Sequence, residues 1–424
     1  MLGCLDEDQT LGDDADSGAS LPDHDSGVLV FNRDSGTVKH HDSGAAVVDQ
    51  DSGKQETADT GDGRDVGVIL PSRDAGAFDT GAIPAVDSGS PGDTGSSPGD
   101  SGAPSCPATP GTTGTILASG QTDLAAFAID TGNVYWTAGV ILNTAGNVLT
   151  LPKTGGTPTT LATNQPSALS LTTTSTSLFW SSSVGSLSEP ANNFSRVMDL
   201  SLPPVAGAAP KQFWGTSNLE SSYPFALTAD STALYWYDLG TTVVVAAPLD
   251  GASPVTFANP GPAANAVPAG LAVHASTLYT LWFGSPAVGT LTLLSAPTTG
   301  GAWSTLWSSP VGTSYINGDL AADATGVYWV DQAEGAGTAT ASIWSMPTGG
   351  APTKLVSGLN QPIALVVDGV NIYYDDDFNI WKMPIAGGTP TVVAPNEYAG
   401  VIAVDATNLY WVNGCFGTIK KLAK

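Results

Sequence analysis

One short phrase, repeated seven times, constrains the fold of this 424-residue chain more than any other feature. The phrase is an aliphatic-Ala-x-Asp step, with the Asp present in five of the seven copies, followed five residues later by a pair of residues that is usually Tyr-Trp. The pairs are Tyr135-Trp136, Phe179-Trp180, Tyr235-Trp236, Tyr279-Thr280, Tyr328-Trp329, Tyr373-Tyr374 and Tyr410-Trp411. Intervals of 37 to 56 residues, filled with short β-prone runs and lacking helical periodicity, are typical of β-propeller blades.

Each repeat divides into four short segments. In the sixth repeat these are residues 362–367, 371–374, 379–384 and 389–394, all rich in β-branched and aromatic residues. Asp, Asn and Gly residues separate them, which predicts an antiparallel meander. The pair Gly387-Gly388 lies between the last two segments, where a tight hairpin requires positive φ.

The two ends of the repeat region complement each other. The seventh repeat contains three strand-like segments, and residues 115–118 match the Thr-Leu-Ala phrase that closes the first repeat. An N-terminal strand that completes the C-terminal blade removes two open sheet edges. The sequence therefore predicts an all-β fold over residues 113–424, a seven-bladed β-propeller of four-stranded antiparallel blades closed by this overlap.

Two of the three cysteines, Cys106 and Cys415, come to the same blade in this arrangement. A disulfide between them would close a long loop and stabilise the ring by about 2–4 kcal/mol. It would also fit an extracytoplasmic compartment. The alternative is a pair of free thiols about one blade width apart.

Residues 5–112 have a different composition from the repeat region. Asp-Ser-Gly or a close variant recurs about every six to nine residues, and residues 1–112 carry 21 acidic against 5 basic side chains. Low hydrophobicity, high net charge and abundant Gly, Ser and Pro predict a disordered acidic spacer, or stalk. Calcium binding is the alternative, but the segments nearest to an EF-hand loop, at Asp14 and Asp49, lack the third ligand and the terminal Glu.

The first four residues, Met1-Leu2-Gly3-Cys4, resemble the cleavage box of bacterial lipoproteins, which runs Leu-x-Gly/Ala-Cys. The aliphatic-Gly-Cys core is present, with Met1 at the third position before the Cys. The resemblance implies that residues 1–4 are the remnant of a lipoprotein signal, that Cys4 carries a lipid, and that translation starts upstream of Met1. No segment reaches about 18 consecutive apolar residues, so a lipidated Cys4 is the expected membrane contact.

The repeat resembles the YWTD and NHL families of β-propellers, most clearly where Pro362-x-Ala-Leu-x-Val-Asp368 leads into Ile372-Tyr373-Tyr374-Asp375. The resemblance covers residues 113–424 and implies the propeller fold. The chain has seven repeats rather than the six of the lipoprotein-receptor members, so their ligand preferences are not carried over. The lipoprotein-like start, the spacer and the repeats together resemble surface lipoproteins of myxobacterial type. This implies an extracytoplasmic protein anchored to the bacterial outer membrane or cell surface.

The repeat region offers few residues for catalysis or cofactor binding. Its one histidine, His274, takes the position that is a turn-forming Asp in five repeats. With no histidine besides His274, the repeat region lacks the side chains that a Ser-His-Asp triad or a His-rich metal site requires. Neither phosphate-binding glycine loop is present. The sequence predicts no catalytic residues and no cofactor.

The long connections between strands carry the candidate binding residues, on the face that propellers most often use for binding. Aromatic residues mixed with amides and acids suit a glycan or an extended peptide, although a solvated rim is the alternative. The candidates are Glu189, Asn193, Tyr223, Trp282, Tyr315, Asp319, Glu334 and Asp376. The run Asp375-Asp376-Asp377 is a candidate site for a divalent ion.

Charge excludes some partners. Residues 113–424 contain 18 acidic and 8 basic side chains, and net negative charge throughout the chain argues against nucleic acid and anionic lipid as partners.

The sequence favours a monomeric, cell-surface-tethered binding or scaffolding propeller with a glycan or protein ligand. One alternative is a polysaccharide- or ester-acting enzyme that uses paired carboxylates such as Glu189 and Asp319. Another is an extracytoplasmic sensor domain.

Overall fold

The computed structural model describes the backbone of residues 28–31 and 38–41, Cys106, and the chain from 109 to 424. Its gaps in that last range are 140–144, 185–193, 205–207, 217–223, 239–240, 242, 260–266, 285–289, 311–318, 334–339, 360–361, 363 and 377. Among these described residues, no helix is long and apolar enough to cross a membrane.

Seven four-stranded antiparallel sheets follow one another along the chain, as predicted. The first strand of each sheet contacts the first strands of both neighbours, and the first strand of the seventh sheet contacts that of the first. This closes a ring around a central axis, with first strands innermost and fourth strands outermost. The fold is therefore a seven-bladed β-propeller.

The strands of the first three blades alternate in direction from the axis outward. Blade 1 contains β4 (Phe127–Ile129), β5 (Asn133–Ala138), β6 (Ala145–Pro152) and β7 (Thr159–Pro166). Blade 2 contains β8 (Leu171–Thr173), β9 (Ser177–Val184), β10 (Phe194–Ser201) and β11 (Lys211–Thr216). Blade 3 contains β12 (Pro224–Ala229), β13 (Ala233–Asp238), β14 (Val243–Pro248) and β15 (Val255–Phe257).

The next three blades repeat this order. Blade 4 contains β16 (Val267–His274), β17 (Thr277–Phe283), β18 (Leu291–Pro297) and β19 (Ser304–Ser308). Blade 5 contains β20 (Leu320–Asp323), β21 (Gly326–Ala333), β22 (Thr340–Pro347) and β23 (Thr353–Leu359). Blade 6 contains β24 (Leu365–Val367), β25 (Asn371–Asp375), β26 (Asn379–Pro384) and β27 (Thr391–Pro395).

Blade 7 is built from both ends of the ring, which confirms the predicted closure. Its inner strands are β28 (Val401–Val404), β29 (Asn408–Asn413) and β30 (Thr418–Ala423), and its outer strand is β3 (Thr115–Ala118). β3 pairs antiparallel with β30, with Thr115 opposite Lys421 and Ala118 opposite Ile419. The predicted disulfide is present: Cys106 is bonded to Cys415, in the turn between β29 and β30, with their Cα atoms 5.5 Å apart.

The aromatic pairs explain why neighbouring blades adhere. Successive side chains of a strand point to opposite faces of the sheet, so a pair with two rings contacts both neighbouring blades, as in every blade except blade 4, where Thr280 replaces the second ring. Trp180 of blade 2 packs in one cluster with Tyr135 of blade 1, and Trp136 of blade 1 packs with Tyr410 of blade 7. All four side chains are essentially inaccessible to solvent. Removing an aromatic side chain of this size from water contributes about 4–6 kcal/mol as an upper bound.

Within the segment predicted to be a disordered spacer, eight residues form a hairpin. β1 (Val28–Phe31) pairs antiparallel with β2 (Val38–His41). The apolar run Val-Leu-Val-Phe has high β propensity, and the Asp-Ser-Gly that follows it is suited to a turn, which accounts for the pairing. This local run differs from the average composition on which the prediction was based. The remainder of residues 5–105 lies outside the described residues, and disorder there stays a prediction.

The two faces of the ring carry different connections. On one, which we call the turn face, every strand 1–2 connection is two or three residues long. The opposite face carries the strand 2–3 and blade-to-blade connections, and we call it the long-connection face. On this face β9 ends and β10 begins, and β19 ends and β20 begins.

Candidate functional site

The sequence predicts ligand-binding residues on the long-connection face. Five of them, together with Asp377 of the acidic run, lie outside the described residues, and their roles stay predictions. These five are Glu189, Asn193, Tyr223, Tyr315 and Glu334. The other three, Trp282, Asp319 and Asp376, are described.

Trp282 lies in the interior. Its side chain is fully buried, and its ring packs edge-on against Tyr237 of blade 3 with centroids 5.1 Å apart. The prediction placed Trp282 in a connection, whereas β17 continues through it to Phe283. Its indole therefore contributes to the contact between blades 3 and 4 rather than to a ligand-facing surface, which corrects the prediction for this residue.

Asp319 joins two blades through backbone amides. One carboxylate oxygen accepts a hydrogen bond from the Leu320 N–H at 2.8 Å, and the other accepts one from the Leu365 N–H of blade 6 at 2.9 Å. Ser170 occupies the same place in blade 2, where its hydroxyl accepts from the Leu227 N–H of blade 3 at 2.8 Å. The shared geometry gives Asp319 a role in holding blades 5 and 6 together.

Asp375 and Asp376 also bind backbone groups. Asp375 is buried, and its Oδ1 accepts from the Ala364 N–H at 2.9 Å, as the Thr137 hydroxyl does from Ala126 in blade 1. Asp376 accepts from the Asn379 N–H at 2.8 Å and closes the β25–β26 turn. In the part of the chain that the structure describes, no group of three His, Cys, Asp or Glu side chains could hold a metal ion.

The turn face is organised by an Asp-Tyr pair that recurs in blades 1, 3, 6 and 7. In blade 1, Asp130 Oδ1 accepts from the Gly132 and Asn133 N–H groups at 2.7 and 2.6 Å, and Oδ2 accepts from the Tyr135 hydroxyl at 2.6 Å. Burial by itself raises the pKa of Asp130, but these hydrogen bonds outweigh it and lower the pKa. In blade 7, burial and the Asp405 carboxylate raise the pKa of Tyr410 to about 12. His274 ends β16 at the equivalent turn of blade 4.

Ion pairs on this face join blade 7 to both neighbours. Lys153 of blade 1 contacts Asp405 of blade 7 at 2.7 Å, and Lys424 of blade 7 contacts Asp368 of blade 6 at 2.6 Å. Burial raises the pKa of Asp405, but the hydrogen bond from Lys153 and the turn amides overcome this and hold the pKa far below its usual range. The turns are therefore structural, and two of them also secure the closing blade.

Acid should weaken this arrangement in a defined direction. Because the folded-state pKa of Asp405 is depressed, its contribution to stability is present above the unfolded pKa near 3.8 and is lost as the pH falls below it. We expect Asp405→Asn to be less stable at neutral pH and to show a smaller drop in melting temperature between about pH 5 and about pH 2. Asp250→Asn is the control, since the described contact of Asp250 is one hydrogen bond from Ala252 N–H. Parallel acid profiles for all three proteins would contradict the assignment.

A buried ionic network, which sequence reasoning missed, lies between blades 6 and 7. Glu397 is fully buried, and its carboxylate accepts from Trp411 Nε1 at 3.0 Å and from Asn413 Nδ2 at 2.7 Å. Its other oxygen pairs with Lys420, which is 2% exposed and also donates to the Gly111 carbonyl at 2.7 Å. The N-terminal segment thus closes over a charge pair, and the ordered ring begins at least two residues before the predicted boundary at 113.

A signal for this network exists in the repeats. Gln121 and Gln165 lie fifteen residues before Trp136 and Trp180, and each accepts the indole N–H of that tryptophan, at 3.0 and 2.9 Å. Glu397 is the equivalent residue of blade 7. An acid in place of a glutamine at a buried position requires a cation nearby, and Lys420 supplies it.

A pocket of about 280 Å³ opens between the outer strand of blade 2 and the β14–β15 turn of blade 3. Its lining is uncharged. The lining residues are Phe213, Trp214, Ala247, Pro248, Gly251, Ala252, Ser253 and Pro254.

The strand order defines the class of this protein as a closed seven-bladed β-propeller. The chain matches no protein-family model and none of the curated proteins compared with it.

Several solved structures are similar in shape. The propeller domain of the trilobed protease from Pyrococcus furiosus has a TM-score of 0.48 at 8% identity, over 70% of this chain and 93% of that one. BamB from Moraxella catarrhalis gives 0.43 at 15% identity, over 74% and 95%. A chain of the nidogen/laminin complex gives 0.39 at 17% identity, over 54% and 90%. Similarity at this level carries no information on function.

Proposed function

We propose that this protein is a binding or scaffolding propeller, tethered to a bacterial surface through the acidic spacer and a lipid on Cys4. The observation that carries the proposal is the difference between the two faces. The Asp-Tyr pairs and ion pairs of the turn face are used internally. The sequence assigns further aromatic, amide and acidic side chains to the connections of the other face, and five of these candidates lie outside the described residues. The ligand is a glycan or an extended peptide on the long-connection face.

Two further features support this assignment. The Cys106–Cys415 disulfide suits an oxidising compartment outside the cytoplasm. The low proportion of charged side chains in residues 113–424 suits a neutral ligand such as a glycan. Membership of the YWTD and NHL families, and of myxobacterial-type surface lipoproteins, remains part of the proposal and rests on the repeat and spacer sequences.

A screen of the full chain against a glycan array and a peptide library tests the proposal. For each hit we expect Tyr223→Ala and Tyr315→Ala to weaken binding by about tenfold or more, or about 1.4 kcal/mol, while matched turn-face changes Thr131→Ala and Ser231→Ala leave affinity unchanged.

Three other outcomes would count against the proposal. Loss of binding only in the turn-face variants would place the site on the turn face. Loss only in Trp214→Leu would move it to the pocket between blades 2 and 3. Turnover of a bound glycan or ester would favour the carboxylate-dependent enzyme instead.

A further inference from the structure

The N-terminal part of the chain is attached to blade 7 at two points, one covalent and one non-covalent. Cys106, at the end of the spacer sequence, is covalently bonded to Cys415 in the β29–β30 turn. Nine residues further on, Thr115 begins β3, which is held to β30 by non-covalent pairing. Any pull on the spacer therefore meets the covalent attachment first.

β3 is poorly suited to resist such a pull by itself. It is four residues long, lies at the outer edge of the sheet, and has a register shift between Ile116 and Ala118. Its first two residues are exposed, Ile116 by 56%, so the burial of β3 comes from Leu117 and Ala118 alone. Tension applied at the N-terminal end of a short edge strand acts on its hydrogen bonds one after another, so they break at low force.

Cys415 lies in a better supported part of blade 7. The neighbouring Asn413 is fully buried and donates to Glu397 at 2.7 Å, while Gly414 N–H donates to the Tyr398 carbonyl at 3.1 Å. Phe416 N–H donates to Asn413 Oδ1 at 3.2 Å. The turn is thereby fastened to the connection between blades 6 and 7, which is part of the ring itself.

We propose that the Cys106–Cys415 disulfide is a mechanical bypass: it transfers tension from the spacer to the β29–β30 turn and leaves residues 107–118, including β3, without load. The use of this device in the cell rests on the proposed surface tether. The resistance of the disulfide-bonded chain to force does not depend on that tether and can be measured on the isolated protein. Reduction of the disulfide would shift the load to β3 and open the ring at blade 7.

Single-molecule pulling tests the bypass without ligand or membrane, so its failure is distinguishable from failure of the proposed function. Peptide-tag handles are placed in the spacer at Ser101 and in the exposed β14–β15 turn at Ala252 of the full chain. With the disulfide intact we expect no early step. After reduction in the instrument, which the exposure of Cys106 permits, we expect a low-force step of about 5 nm as residues 106–120 extend.

A matched variant separates the two load paths. Ile116→Gly weakens β3 and leaves both cysteines in place. It should not change the first rupture force of the oxidised chain, but it should lower the force of the 5 nm step after reduction, a length set by about fifteen extended residues. An early step of this length in the oxidised chain, or an equal effect of Ile116→Gly in both redox states, would overturn the proposal.

Discussion

A chain that begins at Cys106 should melt within a few degrees of the full protein, whereas a chain that begins at Gln121 should be insoluble or strongly destabilised. The shorter deletion removes the spacer and keeps Cys106, Gly111 and β3. The longer one removes the outer strand of blade 7, uncovers the edge of β30, and takes away the disulfide partner of Cys415. The disulfide alone is worth about 2–4 kcal/mol, and an uncovered strand edge promotes aggregation.

A third chain, beginning at Gly111, separates the two contributions. It loses the disulfide but retains β3 and the hydrogen bond from Lys420 to the Gly111 carbonyl, so its melting temperature should fall between the other two. Thermal unfolding followed by circular dichroism checks the order, and peptide mapping without reductant checks the Cys106–Cys415 bond. Equal melting temperatures for all three chains would show that closure does not depend on β3.

Lys420→Met should destabilise the ring by about 3–5 kcal/mol, because it leaves the Glu397 carboxylate buried without its cation. The double variant Lys420→Met with Glu397→Gln should recover part of that loss. The neutral glutamine side chain of the double variant can still accept from Trp411 and Asn413, as Gln121 and Gln165 accept from their tryptophans. Urea unfolding midpoints of the purified proteins measure both changes.

Lys211→Met provides the control for removal of a lysine. Lys211 is exposed at the start of β11, so its loss should change stability by no more than about 0.5 kcal/mol. If Lys420→Met behaves like this control, or if the double variant is less stable than the single one, the buried pair does not stabilise the closure.

The ring could be predicted because its main determinant is local and repeated. Six of the seven pairs place one ring on either face of a second strand, and Tyr279-Thr280 keeps one ring, so the seven pairs specify seven blades and their order. The closure followed from the matching phrase at residues 115–118 and from the two cysteines, and both features are present in the structure.

The errors in the predicted site have a different origin, because they depend on where strands end and on what a side chain meets in space. Trp282 lies three residues after Tyr279, the aromatic residue of its repeat. Only the length of β17 shows that Trp282 lies inside the sheet. Asp376 caps a turn, a contact that the sequence did not indicate, and its role in ligand binding stays a prediction. The repeats mark the position of Glu397, but Lys420 is 23 residues away and no local pattern identifies it as the partner.

Because blade 7 combines an early strand with late ones, the ring closes late during translation. β3 is among the first strands of the ring to leave the ribosome, and its partner β30 is the last. The cysteines that lock them are separated by 309 positions. At about 5–20 residues per second, β3 therefore waits roughly 15–60 s without its partner. Six blades can assemble during that interval, but the nascent ring stays open until β30 has been synthesised, with one unpaired edge at each end for chaperones to protect.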